Sequence, residues 1–69
     1  MNVTIIGTGY VGLTTGTALA YLGHDVTCVD KQERVVETLR RGEPTIHEDG
    51  LAELLHAAMP HMSFRTDIP

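Results

Sequence analysis

The sequence predicts an α/β chain built on a parallel sheet, with its elements in the order β-α-β-α-α-β. Three observations carry this prediction. Short β-branched or apolar runs recur at Asn2–Ile6, Asp25–Val29 and Met62–Arg65. Between them lie stretches whose apolar residues fall at helical spacing. Glycine or proline punctuates the junctions, at Gly7, Gly23, Gly42 and Pro60. Strands and helices alternating in this way give parallel strands joined by right-handed crossovers, and here the second crossover carries two helices.

Asn2-Val-Thr-Ile-Ile6 is short and β-branched, as expected of a parallel strand buried on both faces. Gly7 ends it. From Val11 to Leu22 the residues Val11, Thr15, Ala18, Leu19 and Leu22 recur at helical spacing, and the small Gly16 and Ala20 permit close packing. Gly23 stands where a helix terminates in the left-handed conformation that glycine adopts freely. Asp25–Val29 is the second strand, ending against Asp30. Gln32–Arg41 reads as a second helix with Val35, Val36 and Leu39 facing inward, a Glu37–Arg41 pair on its polar face and Gly42 closing it. Pro44–Asp49 is a loop. Leu51, Leu54, Leu55 and Ala58 form a third helical stripe, with Asp49 as its N-cap and Pro60 as its stop. Met62–Arg65 completes the set as a shorter third strand. This is half of a doubly wound sheet, in which the first strand is central and its outer edge, beside Val3 and Ile5, awaits another strand.

The composition bounds what such a chain can do. A chain of 69 residues buries only about 60% of the surface its unfolded form exposes. Cys28 is the only cysteine, so no disulfide framework compensates; a lone thiol fits a reducing, cytoplasmic setting. The formal charge of −4 argues against nucleic acid, which asks for a basic stripe. No basic amphipathic helix offers itself to an anionic membrane. The opening apolar run is far too short to span a bilayer, and no basic region precedes it as in a signal peptide, so the N-terminus is expected to be mature as written.

Gly7-Thr-Gly-Tyr-Val-Gly12 is a G-x-G-x-x-G turn, and each glycine has its own task. Gly7 makes the tight turn out of the strand. Gly9 lacks a Cβ, so a pyrophosphate can approach the backbone closely. Gly12 lets the helix lie against the strand. The N–H groups of the first helical turn then face the phosphates, helped by the helix dipole. Alone the hexapeptide is weak evidence. Here it follows an apolar strand, opens a helix, and is followed 18 residues beyond Gly12 by Asp30 at the end of the next strand, close to the spacing of about 20 in a dinucleotide-binding fingerprint. The fold class is therefore a Rossmann-type sheet. A carboxylate at Asp30 accepts from the ribose hydroxyls and repels a 2′-phosphate, which favours NAD over NADP. Lys31 beside it is a cation that would tolerate that phosphate.

The remaining reactive side chains read as structural. His24, His47, His56 and His61 include no pair at the i,i+4 spacing of a helical zinc site, and Cys28 has no C-x-x-C partner. Cys28 lies in the second strand as a buried thiol. His47 and Glu48 belong to a polar loop.

The residues also resemble a known family. Gly7-Thr-Gly-Tyr-Val-Gly-Leu13 with Gly23-His-Asp-Val26 looks like the start of the UDP-glucose 6-dehydrogenases, a group that includes the UDP-N-acetylmannosamine and GDP-mannose dehydrogenases. Glu48-Asp-Gly-Leu51 falls where that family usually has Glu-Pro-Gly-Leu, and Phe64-Arg-Thr-Asp67 resembles its third strand and following turn. Two departures are visible: Val35 stands where the family usually has a basic residue, with Arg34 one place early, and Pro44 precedes the usual proline positions, here Thr45 and Asp49. The resemblance implies an NAD-binding domain, of which residues 1–69 are the N-terminal part, in an enzyme that oxidises the C6 hydroxyl of a nucleotide sugar to a carboxylate. It implies Gly7, Gly9, Gly12 and Asp30 as cofactor ligands and, more loosely, Thr8, Tyr10, Val11 and Lys31. The family's catalytic cysteine, lysine and acids fall beyond Pro69, so no catalytic residue is expected in this chain. NAD, a nucleotide sugar in the full-length enzyme and further copies of the same chain are the expected partners. Other dehydrogenases with the same opening, of hydroxyacyl-CoA or 6-phosphogluconate type, and a non-catalytic NAD-sensing module stay open as alternatives.

Overall fold

A computed structural model describes residues 1–67. The elements are β1 (Asn2–Ile6), α1 (Tyr10–Tyr21), β2 (Asp25–Val29), α2 (Glu33–Arg40), α3 (Leu51–Ala58), a short 3-10 turn (Met59–His61) and β3 (Met62–Arg65). The strands form one parallel sheet in the order β1-β2-β3. All three strands fall on the runs expected from the sequence, and the crossover from β2 to β3 carries two helices.

The register aligns Val3 with Val26 and Met62, and Ile5 with Cys28 and Phe64. These residues share one face of the sheet, because side chains alternate along a strand. Leu13 and Ala20 of α1, Val36 and Leu39 of α2, and Leu51, Leu55 and Ala58 of α3 join this face in a single core. The opposite face carries Thr4, Thr27 and Ser63, with the last two hydroxyls 3.2 Å apart. The strands are therefore covered on one side among the described residues. The expectation of strands buried on both faces gives way to an alternation, V-T-I, V-T-C and M-S-F, that matches a one-sided sheet.

β1 is an edge strand, half-exposed along its length. Its odd residues face β2: the Met1 carbonyl accepts from Asp25 N–H and Gly7 N–H donates to the Val29 carbonyl. In a parallel ladder the N–H and C=O of one residue point to the same neighbour. The groups on the outer edge are thus those of Asn2, Thr4 and Ile6, not those of Val3 and Ile5. The far edge differs, because Arg40 Nε donates to the outward carbonyl of Phe64 at 2.9 Å.

α1 turns a different face inward than its apolar spacing suggested. Leu13, Gly16, Thr17 and Ala20 are buried, whereas Val11 and Leu22 are each 73% exposed and Thr15 and Ala18 are exposed too. Apolar residues lie all round this helix, so periodicity does not choose a face; the small residues do. A Cβ on Gly16 would lie 3.2 Å from Cys28 Sγ and 3.3 Å from Ile5 Cγ1. The N-cap of α3 is Gly50, in the left-handed region at φ 83°, and not Asp49, whose side chain makes no capping bond. The α-helix ends at Ala58, and Pro60 lies inside the 3-10 turn that follows. Arg41 pairs with Glu43 at 3.5 Å instead of Glu37, an exposed contact of little energetic weight.

Candidate functional site

Parallel strands deliver their C-terminal ends to one edge of the sheet, and the loops leaving those ends form the site. Ile6 and Gly7 at the end of β1, Val29, Asp30 and Lys31 at the end of β2, and Thr66 just past β3 line a cleft of 380 Å³. Ile6, Val29 and Thr66 were not among the residues singled out in the sequence. Their signal is topological: ligands of open α/β sheets sit beyond the carboxyl ends of the strands, and Thr66 is the first residue past β3.

The glycine turn has the local geometry of a cradle. Gly7 sits at φ 87°, where an L side chain is strained. A Cβ on Gly12 would meet the carbonyl oxygen of Gly7, so α1 lies as close to the end of β1 as its backbone allows. Gly9 is different. It caps α1 at φ −66° and ψ −179°, a conformation open to any residue, and a Cβ there would meet nothing within 4 Å. The fold itself does not require glycine at this position. The missing side chain leaves free the approach to the helix end. The first helical N–H groups, those of Tyr10, Val11 and Gly12, precede the first helical bond, Leu13 N–H to the Gly9 carbonyl at 2.9 Å. The side chains of Tyr10 and Val11 are exposed and do not line the cleft.

Asp30 lies between the turn and the cleft. Its Oδ2 accepts from Thr8 Oγ1 at 2.7 Å and from Thr8 N–H at 3.2 Å, and its Oδ1 accepts from Gln32 N–H at 2.9 Å. The Gln32 N–H and the Thr8 hydroxyl hold this carboxyl below the usual carboxylate range, and the charge of Lys31 adds to the effect. Thr8 is 5% exposed, with its hydroxyl turned to Asp30. Lys31 is exposed on the cleft rim.

The other reactive groups lie elsewhere. Cys28 is fully buried beneath α1, and burial pushes its thiol up to about 11. Among the described residues no three His, Cys, Asp or Glu side chains cluster as a metal site. No helix of the described residues is long and apolar enough to cross a membrane.

Comparison with known proteins then decides the family. The sequence model of the UDP-glucose/GDP-mannose dehydrogenase family, NAD binding domain, matches residues 1–69. The chain belongs to that family. It is 46% identical over 68 residues to a UDP-glucose 6-dehydrogenase of Bacillus subtilis, covering 96% of this chain and 16% of the relative. Among solved structures, a UDP-glucose dehydrogenase from Pyrobaculum islandicum superposes with TM-score 0.87 at 40% identity, covering 91% of this chain and 15% of that one. A UDP-N-acetyl-mannosamine dehydrogenase from Staphylococcus aureus superposes with TM-score 0.94 at 30% identity, covering 99% of this chain and 17% of the other. The chain thus spans about a sixth of these dehydrogenases and matches the model of the family's NAD-binding domain.

Proposed function

We propose that residues 1–69 are the N-terminal part of the NAD-binding domain of a nucleotide-sugar dehydrogenase, with UDP-glucose as its substrate, oxidised at C6 to UDP-glucuronate. The observation that carries the reading is the pairing of an open phosphate turn with a fixed carboxylate. Gly9 leaves an uncovered approach to the start of α1, and Asp30 stands at the end of the neighbouring strand with its carboxylate ionised. The choice of UDP-glucose rests on the names of relatives such as those of Bacillus subtilis and Haloferax volcanii, at 46% and 53% identity.

NAD, when bound, supplies the hydride acceptor. This chain's residues hold it. The N–H groups of Tyr10, Val11 and Gly12, at the positive end of the α1 dipole, would face the pyrophosphate. The Asp30 carboxylate would accept from the adenosine ribose and reject a 2′-phosphate, with Lys31 on the rim. The part these residues take in the proposed reaction is binding and orientation. A cytoplasmic setting and a homo-oligomeric parent enzyme belong to the same proposal, the former in keeping with a buried free thiol.

The test is calorimetry on the full-length protein. Asp30→Ala should weaken NAD binding and relax discrimination against NADP, and Gly9→Val should abolish binding while the fold survives. Unchanged NAD affinity in both variants would sink the reading.

A further inference from the structure

Asp30 is held from two sides, and one of them is not needed to keep it in place. Gln32 N–H, two residues along the chain, already anchors Oδ1. A carboxylate fixed by one oxygen still turns about its terminal torsion, which is broad and nearly two-fold. The second oxygen is fixed from across the sheet, by the hydroxyl and the N–H of Thr8, 22 residues away. Thr8 is nearly buried and β-branched, so its hydroxyl has little freedom to point elsewhere.

The count of lone pairs gives this arrangement a consequence. An ionised carboxylate offers about four acceptor sites. Thr8 and Gln32 supply three donors: two on Oδ2 and one on Oδ1. The remaining acceptor direction lies on Oδ1, and it is fixed.

We propose that Thr8 is a positioning residue for cofactor choice: its hydroxyl locks the Asp30 carboxylate in an orientation that receives the ribose of NAD and cannot turn aside for the 2′-phosphate of NADP. The inference rests on the reading of Asp30 as the ribose acceptor. With the hydroxyl removed, Oδ2 keeps only the longer contact to Thr8 N–H at 3.2 Å, and the carboxylate turns more freely about its Gln32 anchor. Lys31 lines the same cleft, and its charge favours the incoming phosphate once the carboxylate can turn aside. Selectivity falls although Asp30 itself is unchanged.

The experiment measures NAD and NADP dissociation constants by calorimetry on the full-length protein and its Thr8→Val, Thr8→Ser, Asp30→Asn and Thr8→Val/Asp30→Asn variants. Thr8→Val should lower the NAD-over-NADP preference about tenfold, the size of one charge-assisted hydrogen bond. Thr8→Ser, which keeps the hydroxyl, should restore it. In the Asp30→Asn background, Thr8→Val should change the preference no further, because the two residues act as one unit. If Thr8→Val does not fold, Thr8→Ala removes the same hydroxyl with a smaller side chain and is read in its place. A wild-type preference in the folded hydroxyl-free variant, or an equal loss with and without Asp30, overturns the proposal. Asp30→Asn with the wild-type preference instead overturns the assignment of Asp30, whatever Thr8 does.

Discussion

Replacing Gly12 with alanine puts a methyl group into the narrowest gap between α1 and β1. Its Cβ would meet the carbonyl oxygen of Gly7 and lie 3.2 Å from Ile5 Cγ2. The first obstacle is backbone at the end of a hydrogen-bonded strand, since Gly7 N–H is tied to the Val29 carbonyl at 2.7 Å. It cannot yield, so α1 must slide outward. Forcing extra volume into a packed site costs about 1–3 kcal/mol. Alanine returns less than about 1 kcal/mol of helix propensity, because Gly12 lies in the first turn. Gly12→Ala should therefore destabilise the protein by about 1–2 kcal/mol and weaken NAD binding, since the displaced helix carries with it the N–H groups proposed to face the phosphates. Gly16→Ala is the internal control. Its Cβ would meet only side-chain atoms, Cys28 Sγ at 3.2 Å, Ile5 Cγ1 at 3.3 Å and Val26 Cγ1 at 3.4 Å. Those neighbours can shift by a few tenths of an ångström, and the full interior propensity gain of about 1 kcal/mol offsets the crowding, leaving stability near that of the wild type. Urea unfolding of both variants gives the comparison. A Gly12→Ala protein as stable as wild type beside a weakened Gly16→Ala protein would refute the claim that backbone contact, not side-chain packing, demands the third glycine of the turn.

Two further perturbations probe the core beneath the site. Thr17 is fully buried on α1, and its hydroxyl has no hydrogen-bond partner among the described residues; Thr17→Val replaces that hydroxyl with a methyl group of similar size and should stabilise by about 1 kcal/mol, read from urea melts, with a loss of stability counting against it. Burial raises the Cys28 thiol from 9.0 to about 11, so the folded state favours the protonated form. Its contribution to stability is complete below pH 9.0 and is lost as pH rises toward 11. Iodoacetamide at pH 8 should alkylate Cys28 only as fast as the protein unfolds, and rapid labelling of the native state would show that the thiol is not sealed under α1.

Much of this fold is written in local pattern. The three strands are β-branched or apolar runs bounded by glycine, aspartate or proline, and Gly7, Gly23 and Gly42 hold the positive φ values their positions ask for. Local pattern misleads where it is degenerate. α1 is apolar on every side, so the stripe through Val11 and Leu22 was as regular as the buried one; the spacing of Gly12, Gly16 and Ala20 was the better guide. Asp49 has a capping side chain, but the chain enters α3 through a left-handed turn, and the adjacent Gly50 supplies that conformation without strain. The turn Gly7–Gly12 and Asp30 stood out in the sequence because their spacing follows from one βαβ unit. Thr66 and the Thr8–Asp30 lock did not, because each depends on the parallel register that brings separate strand ends to one edge.

The most direct test of the account is a crystal structure of the full-length protein with NAD. It should place the pyrophosphate over Gly9, against the N–H groups of Tyr10, Val11 and Gly12. A hydroxyl of the adenosine ribose should lie on Asp30 Oδ1, with Thr8 still bonded to Oδ2. A cofactor whose ribose lies away from Asp30, or whose phosphates leave the start of α1 bare, would contradict it.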